Sequence, residues 1–320
     1  MGDSDRPRDL KSQLEHAGHD VERQIQKAQA QFDGLSEEIT RRTGRNLIFA
    51  VGVGLALGLG VLFSLIFVTD IFMGFAALIF AAATLELALA LRTADRHVPR
   101  IPTVVVALGI PPAAYYGGVT WLWLSLVAGL AFIVLWRLAE QALPRFRTLG
   151  AALVQDLTAA VLTQVYVSGL ASFAVLLCSP SNPNGKWWTL AFVIIVVATD
   201  TGAYAGGMLF GKHPMAPTIS PKKTWEGFAG AAFVALLAGV LLTIFMLRLP
   251  WWLGLVVGAV VLVAATIGDL AESLIKRDIG VKDMSDWLPG HGGFLDRLDS
   301  MLPSAVATYA LYLVFQPLLG

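Results

Sequence analysis

Long runs of apolar residues alternate with short polar segments along most of this 320-residue chain. Nine of these runs approach the length needed to cross roughly 30 Å of hydrocarbon. They lie at 47–68, 71–91, 102–117, 119–136, 150–178, 187–210, 227–247, 251–268 and 302–319. The pattern therefore predicts an all-α polytopic membrane protein with about nine transmembrane helices.

The basic residues predict how these helices are oriented, because Lys and Arg are enriched in cytoplasmic loops. If the N-terminus is cytoplasmic, 21 of the 23 Lys and Arg residues lie on the inner side, and the other two are Lys186 and Arg248. We therefore expect a multi-pass protein of the cell membrane with its N-terminus inside and its C-terminus outside. The polar segments after Gly211 and Asp269 would then face the cytoplasm.

The chain divides into three predicted parts. Residues 1–46 are densely charged and lack the leading apolar core of a signal peptide, and an apolar stripe from Val21 to Ile39 predicts a peripheral amphipathic helix. We expect residues 47–186 to form N-terminal transmembrane helices and residues 187–320 to form a transmembrane catalytic region. The formal net charge is zero, so the composition gives no basic surface for nucleic acid.

A first polar cluster begins at Asp200 and reads Asp-Thr-Gly-Ala-Tyr-Ala-Gly-Gly, directly after an apolar run. An unpaired carboxylate at the centre of a membrane helix costs roughly 2.5–3.5 kcal/mol. Asp200 is therefore a candidate functional residue, although an acid at a helix end or hydrogen-bonded within the bundle would give the same pattern.

A second cluster precedes the seventh run and reads Ser-Pro-Lys-Lys-Thr-Trp-Glu-Gly from Ser220 to Gly227. Its hydroxyl and ammonium groups would lie beside a helix N-terminus, which favours anions. Ser220, Lys222, Lys223 and Thr224 are thus candidate phosphate-binding residues. The alternative is a basic inner loop in which Ser or Thr caps the helix.

The third cluster is the most polar and begins at Asp269. If the helix of the eighth run continues, Asp269, Ser273 and Lys276 fall at i, i+4 and i+7 and share one face. Residues 278–289 lack helical periodicity and are predicted to form a loop.

The third cluster continues with glycines around His291, which predict a tight turn whose backbone amides can approach phosphate oxygens. Asp296, Asp299 and Ser300 then lie at i, i+3 and i+4 where the last helix begins.

Convergent carboxylates in a chain with one cysteine and no histidine cluster indicate a hard cation that prefers oxygen ligands. We expect Mg²⁺ or another divalent cation, with a second metal ion as a further candidate. The alternative for any single aspartate is a salt bridge to a nearby Lys or Arg. Two interpretations of Glu86 in the second run remain open: it pairs with an inner-loop Arg, or it has a functional role.

The C-terminal cluster resembles the signature of the phosphatidate cytidylyltransferases (CDP-diacylglycerol synthases). That signature runs Ser, two residues, Lys-Arg, four residues, Lys-Asp, and later His-Gly-Gly, two residues, Asp-Arg, one residue, Asp. Its places are occupied here by Ser273, Lys276, Arg277, Lys282, Asp283, His291, Gly292, Gly293, Asp296, Arg297 and Asp299. The stretches at Asp200 and Ser220 are also similar to motifs of that family, so the resemblance covers about residues 190–305.

The resemblance implies that CTP and phosphatidic acid react to give CDP-diacylglycerol and pyrophosphate in phospholipid biosynthesis. It also implies dependence on a divalent metal, a cavity open to cytoplasm and membrane lipids, and a homodimer. By position, Asp269 and Asp296 correspond to the expected metal ligands, and Asp200 and Asp299 are further candidates.

The remaining site residues follow from the motifs and the same resemblance. The predicted catalytic residues are Lys276, Asp296, Arg297 and Asp269. The predicted substrate-binding residues are Ser220, Lys222, Lys223, Thr224, Ser273, His291, Gly292 and Gly293.

Two other functions are compatible with this pattern. A CTP-dependent lipid kinase would share related motifs but would transfer the γ-phosphate of CTP to a lipid alcohol. A membrane transporter would use the polar residues to line a substrate pathway. Against a transporter, the charges cluster on one side of the predicted bilayer, and no inverted repeat is evident.

Overall fold

Long helices joined by short loops make up most of this computed structural model, which describes residues 47–288 and 292–318. The helix predicted within residues 1–46 and the side chain of His291 lie outside the described residues. Residues 57–288 together with the described residues from Gly292 onward belong to one compact unit, and residues 47–56 are helical. The helices are α1 (Leu47–Phe67), α2 (Thr69–Thr93), α3 (Arg100–Glu140), α4 (Ala151–Thr163), α5 (Leu170–Leu177), α6 (Gly185–Phe210), α7 (Trp225–Leu242), α8 (Trp251–Asp278), α9 (Leu295–Leu298) and α10 (Met301–Phe315).

Seven helical stretches within the described part of the chain are long and apolar enough to cross a membrane. Two of them combine regular helix with π-helical turns, at Gln164–Gly169 between α4 and α5 and at Thr243–Leu247 after α7. The seven are Thr69–Thr93, Arg100–Glu140, Ala151–Leu177, Gly185–Phe210, Trp225–Leu247, Trp251–Asp278 and Leu295–Phe315. The predicted class, a helical polytopic membrane protein, is therefore confirmed.

Helix α3 is interrupted at Gly118, whose φ of 70° and ψ of −162° are not helical. Residues with a side chain rarely adopt a positive φ, so glycine permits this break. A Cβ atom at Gly129 would collide with the side chain of Val106. Val106 lies twelve residues before the break and Gly129 lies eleven residues after it. The two halves of α3 therefore fold back against each other at Gly118.

One short β-hairpin departs from the helical architecture of the described residues, and it carries the cluster that the sequence placed beside a helix N-terminus without predicting strands. Strands β1 (Pro214–Ala216) and β2 (Ser220–Thr224) pair in antiparallel fashion. The Glu226 carboxylate accepts hydrogen bonds from the Lys212 and His213 amides at 3.1 and 3.2 Å. These long-range bonds attach the hairpin to the start of α7, and local sequence gives no sign of them.

Glycines allow α6 and α7 to cross with their backbones in contact. A Cβ atom at Gly230 would lie 2.6 Å from the carbonyl oxygen of Gly202, and one at Gly206 would lie 2.9 Å from the carbonyl oxygen of Glu226. Small residues at such crossings let membrane helices approach closely. The crossing holds the end of α6, which carries Asp200, against the start of α7, which follows the hairpin.

We expect Gly230→Ala to lower the thermal midpoint of the detergent-solubilised protein by several degrees. The added methyl group must displace one helix, and overpacking of this kind costs about 1–3 kcal/mol. Gly109→Ala is the matched control, because no atom lies within 4 Å of the Cβ position there and alanine is favoured over glycine in a helix. Equal midpoints for Gly230→Ala and the unaltered protein would contradict this packing.

The ends of α2, α3 and α4 meet in a buried polar cluster. Arg137 near the end of α3 is fully buried, and its Nη2 atom lies 2.7 Å from the Oδ2 atom of Asp156 in α4. The other oxygen of Asp156 accepts a hydrogen bond of 2.7 Å from the backbone amide of His97, just after α2. The end of α2 and the start of α4 therefore lie at the same end of the bundle.

Candidate active site

The second and third sequence clusters meet along helix α8. The Nζ atom of Lys223 in β2 forms an ion pair with the Oδ2 atom of Asp269. Near the end of α8, the Nε atom of Arg277 donates to the carbonyl oxygen of Ile219 at 3.3 Å. Because α8 continues to Asp278, Asp269, Ser273 and Lys276 share one helix, as the spacing predicted.

The first cluster joins the same region through Asp200. Its electrostatic neighbours are Asp269, Lys223 and Arg297, and Asp299 in turn interacts with both Asp200 and Asp269. A Cβ atom at Gly268 would collide with the carbonyl oxygen of Asp299. Glycine at position 268 thus lets α8 touch the start of the last helix and brings the carboxylates of three elements together.

Lys276 lies between two carboxylates. Its Nζ atom is 2.6 Å from the Oε2 atom of Glu272 and 3.0 Å from the Oδ1 atom of Asp296. Glu272 is 1% exposed and did not emerge as a site residue from the sequence. Its i, i+4 spacing to Lys276 was the available signal, but such pairs are common on helix surfaces.

Both oxygens of Asp296 accept hydrogen bonds. Besides Lys276, the donors are the backbone amide of Gly293 at 2.8 Å and that of Met284 at 3.2 Å, both to the Oδ2 atom. Gly292 has a φ of 82°, and its carbonyl oxygen accepts from the Leu288 amide at 2.9 Å. Asp296 therefore fixes the loop between α8 and α9 as well as the ammonium group of Lys276.

Glu86 in α2 anchors the same loop and the first residue of α9. Its Oε2 atom accepts a hydrogen bond of 2.8 Å from the Leu295 amide, and its Oε1 atom accepts one from the Ser285 hydroxyl. A side chain at Gly293 would collide with this carboxylate. The hydrogen-bond partners of Glu86 thus lie in and next to the loop around the site. The sequence had left two interpretations of Glu86 open, a partner for an inner-loop Arg and a functional role.

Several predicted residues lie at the edge of this arrangement. Lys222 is exposed, and since side chains alternate along a strand, it lies on the opposite face from Lys223. The Thr224 hydroxyl accepts a 3.1 Å hydrogen bond from the Gly227 amide and caps α7, which was the alternative interpretation of this residue. Ser220 and Ser273 are half-buried, and Arg297 is exposed.

The oxygen ligands of the site are those that a divalent cation prefers. Among residues 47–288 and 292–318, no three acidic, histidine or cysteine side chains are close enough to form a preassembled metal site. Mg²⁺ is commonly held by one or two carboxylates together with phosphate oxygens. Asp269 interacts electrostatically with Asp200 and Asp299, and Asp296 lies against Lys276 of the same helix as Asp269. These carboxylates provide oxygen ligands of that kind, so the residues fit a cation that binds together with a phosphorylated substrate.

The fold and the site define a class: a helical membrane protein in which lysine–carboxylate pairs lie together at one end of the bundle. The profile of the cytidylyltransferase family matches residues 49–315 of this chain. The chain belongs to the cytidylyltransferase family.

Individual relatives are similar over most of the chain. The phosphatidate cytidylyltransferase of Mycobacterium bovis is 39% identical over 286 residues, which cover 84% of this chain and 89% of the relative. That of Mycobacterium leprae is 37% identical, covering 86% and 90% respectively. The chloroplastic phosphatidate cytidylyltransferase 4 of Arabidopsis thaliana is 30% identical, covering 83% and 72%.

Proposed function

We propose that this protein transfers the cytidylyl group of CTP to phosphatidate and releases pyrophosphate, thereby making CDP-diacylglycerol for phospholipid biosynthesis. The observation that carries the proposal is the convergence of the Lys223–Asp269 and Lys276–Asp296 pairs at one end of a membrane-type helical bundle. The names of its relatives support the same reaction.

In this reaction an oxygen of the phosphatidate phosphate attacks the α-phosphorus of CTP. The bond from the α-phosphorus to the bridging oxygen breaks, and pyrophosphate takes the electron pair. A phosphate monoester carries about −1.5 to −2 charge at pH 7, so the nucleophile is already largely deprotonated. The protein then has to position two anions in line and offset their repulsion.

The lysines of the site are suited to that task because carboxylates already hold them in place. Lys276 is fixed by Glu272 and Asp296, and Lys223 is partly exposed beside Asp269. When phosphates enter the site, they can replace these carboxylates as the partners of the ammonium groups. Arg297, exposed near Asp200, and Lys222 on the hairpin would contact phosphates from the aqueous side.

Asp269 and Asp296 are the proposed Mg²⁺ ligands, with Asp200 and Asp299 as further candidates for this ion or a second one. Of the two, Asp269 is engaged by one lysine, whereas Asp296 accepts from Lys276 and from two backbone amides. A bound divalent cation would neutralise charge on the pyrophosphate as it leaves. The carboxylates would hold it on the face of α8 that also carries Lys276.

For the membrane arrangement we propose nine crossings, with the N-terminus and the site in the cytoplasm and the C-terminus outside. The break at Gly118 supports the count, because a straight helix of 41 residues would be about 60 Å long, twice the hydrocarbon thickness. The distribution of Lys and Arg supports the orientation. The resemblance to the family supports a homodimer in the cell membrane.

The reaction can be tested with purified protein in vesicles that contain phosphatidate. With CTP labelled at the α-phosphorus, we expect the label to enter the lipid in a Mg²⁺-dependent manner, while label at the γ-phosphorus leaves as pyrophosphate. Chelation of the metal should stop both. Transfer of the γ-label to a lipid would instead establish a kinase, and a folded protein that transfers neither label would overturn the proposal.

A further inference from the structure

A tyrosine on the π-helical turn between α4 and α5 interacts with the carboxylates of the site and belongs to none of the sequence clusters. Tyr166 is 8% exposed, and its hydroxyl is buried without a hydrogen-bond partner in the part of the chain that the structure describes. The carboxylates that interact with it electrostatically are those of Asp299, Glu272 and Asp269. Turns of the π-helical kind are rare and occur frequently at functional sites.

Hydrogen bonds through α2 place Tyr166 level with the ion pair at the end of the site. The Ser168 hydroxyl, two residues after Tyr166, hydrogen-bonds the Thr84 hydroxyl of α2 at 2.9 Å. The two segments run in opposite directions, because the end of α2 meets the start of α4. Glu86, two residues after Thr84, is therefore level with Tyr166, and it binds the loop and the start of α9. The same short helix carries Asp296 and its ion pair.

Of the three carboxylates near Tyr166, that of Glu272 has a buried oxygen atom without a partner among the described residues. This atom is Oε1, whereas the Oε2 atom lies 2.6 Å from the Nζ atom of Lys276. Asp269 pairs with a lysine of the hairpin, and Asp299 accepts a 2.6 Å hydrogen bond from the following backbone amide. An unpaired buried hydroxyl and an unpaired buried carboxylate oxygen thus lie near each other beside Lys276.

These two atoms have complementary hydrogen-bonding capacities. Leaving either of them buried and unpaired is unfavourable, and the tyrosine hydroxyl can donate where the carboxylate accepts. No direct hydrogen bond joins them. Buried water molecules commonly connect polar groups that would otherwise be unsatisfied. One water that accepts from the hydroxyl and donates to the carboxylate would satisfy both.

We propose that Tyr166 is a positioning residue, which holds the Glu272 carboxylate through one bridging water and thereby keeps Lys276 in the site. This inference rests on the proposed function, in which the ammonium group of Lys276 offsets the charge of the reacting phosphates. Tyr166 itself does not touch the substrates. By fixing Glu272, it gives the ammonium group one constant partner when a phosphate takes the place of Asp296.

A double-mutant cycle on the purified full-length protein tests this connection. We expect Tyr166→Phe to lower kcat about tenfold, as for the loss of one hydrogen bond to a charged group. The KM values for CTP and phosphatidate should not change, because a misplaced ammonium group costs most where charge develops in the transition state. In the background of Glu272→Met, which removes the acceptor, Tyr166→Phe should change kcat by less than about twofold.

Tyr309→Phe is the matched control, because Tyr309 has the same exposed fraction of 8%, and it should leave kcat unchanged in both backgrounds. A merely structural role of Tyr166 would lower kcat by the same factor in both backgrounds. That result would overturn the proposal, as would an unchanged kcat or a rise in KM alone.

The thermal midpoint of the detergent-solubilised protein gives a second measurement that needs no substrate. Tyr166→Phe leaves the acceptor unpaired and should lower the midpoint, whereas in the Glu272→Met background it removes an unpaired donor and should not lower it. If Tyr166→Phe alone does not fold, a double variant that folds supports the pairing, and one that also fails to fold overturns it.

Failure of the proposed function is a distinguishable result. An unaltered enzyme that forms no CDP-lipid would refute the reaction, and the thermal midpoints would then decide the pairing by themselves. Non-additive changes in the midpoint support the link between Tyr166 and Glu272, and additive changes overturn it.

Discussion

Replacing Asp296 by Asn should reduce kcat for CDP-diacylglycerol formation by a factor of about 1,000 or more, because a charge that organises the site is removed. The amide cannot form the ion pair with Lys276, and its NH₂ group would face either that ammonium group or the amides of Gly293 and Met284. Buried Glu272 would then be the remaining partner of Lys276. Steady-state assays in vesicles, together with the amount of membrane-inserted protein, measure the effect.

Asp278→Asn is the matched control, since Asp278 is exposed at the end of α8 and its substitution should leave turnover unchanged. A titration with Mg²⁺ separates the two roles of Asp296. Loss of a metal ligand raises the Mg²⁺ concentration needed for residual activity, whereas loss of the contacts to Lys276 and the loop lowers kcat at all concentrations. Activity above about a tenth of the original would argue against either role.

Replacing Glu86 by Leu is expected to lower kcat about 100-fold, although Glu86 belongs to a different helix from the lysines and aspartates of the site. The substitution removes the two carboxylate oxygens that accept hydrogen bonds from Ser285 and Leu295, so the buried Leu295 amide is left unpaired. The segment that positions Asp296 then loses its attachment to α2. Misplacement of a reacting group by about 1 Å can cost 10²-fold in rate. Activity and protease resistance of residues 279–294 are the measurements.

Glu86→Gln is the matched control, because glutamine has nearly the same side-chain shape as glutamate and keeps a hydrogen-bond acceptor. Its amide oxygen can accept from the Leu295 amide, and its NH₂ group can donate to the Ser285 hydroxyl, which is able to accept. We expect Glu86→Gln to keep activity within severalfold of the original, and a Glu86→Leu enzyme with full activity would show that the loop does not need this anchor.

The apolar runs and their lengths determined the helical membrane class, because a spanning helix must satisfy its backbone internally and present apolar side chains over a fixed distance. Local periodicity also determined that Asp269, Ser273 and Lys276 share a helix, which α8 confirms by continuing to Asp278. The three polar clusters were visible for the same reason: charge is costly in an apolar chain. Their order and residue types carried the resemblance to the family.

The tertiary structure alone decided which of these groups meet. Glu86 and Ser285 are 199 residues apart in sequence, and the Lys223–Asp269 pair joins a hairpin to a distant helix. Helical and strand periodicities report which residues share a face of one element, not which faces come together. Tyr166 and Glu272 were missed because each resembles an ordinary residue of a buried helix, and only their unpartnered atoms beside the carboxylates distinguish them.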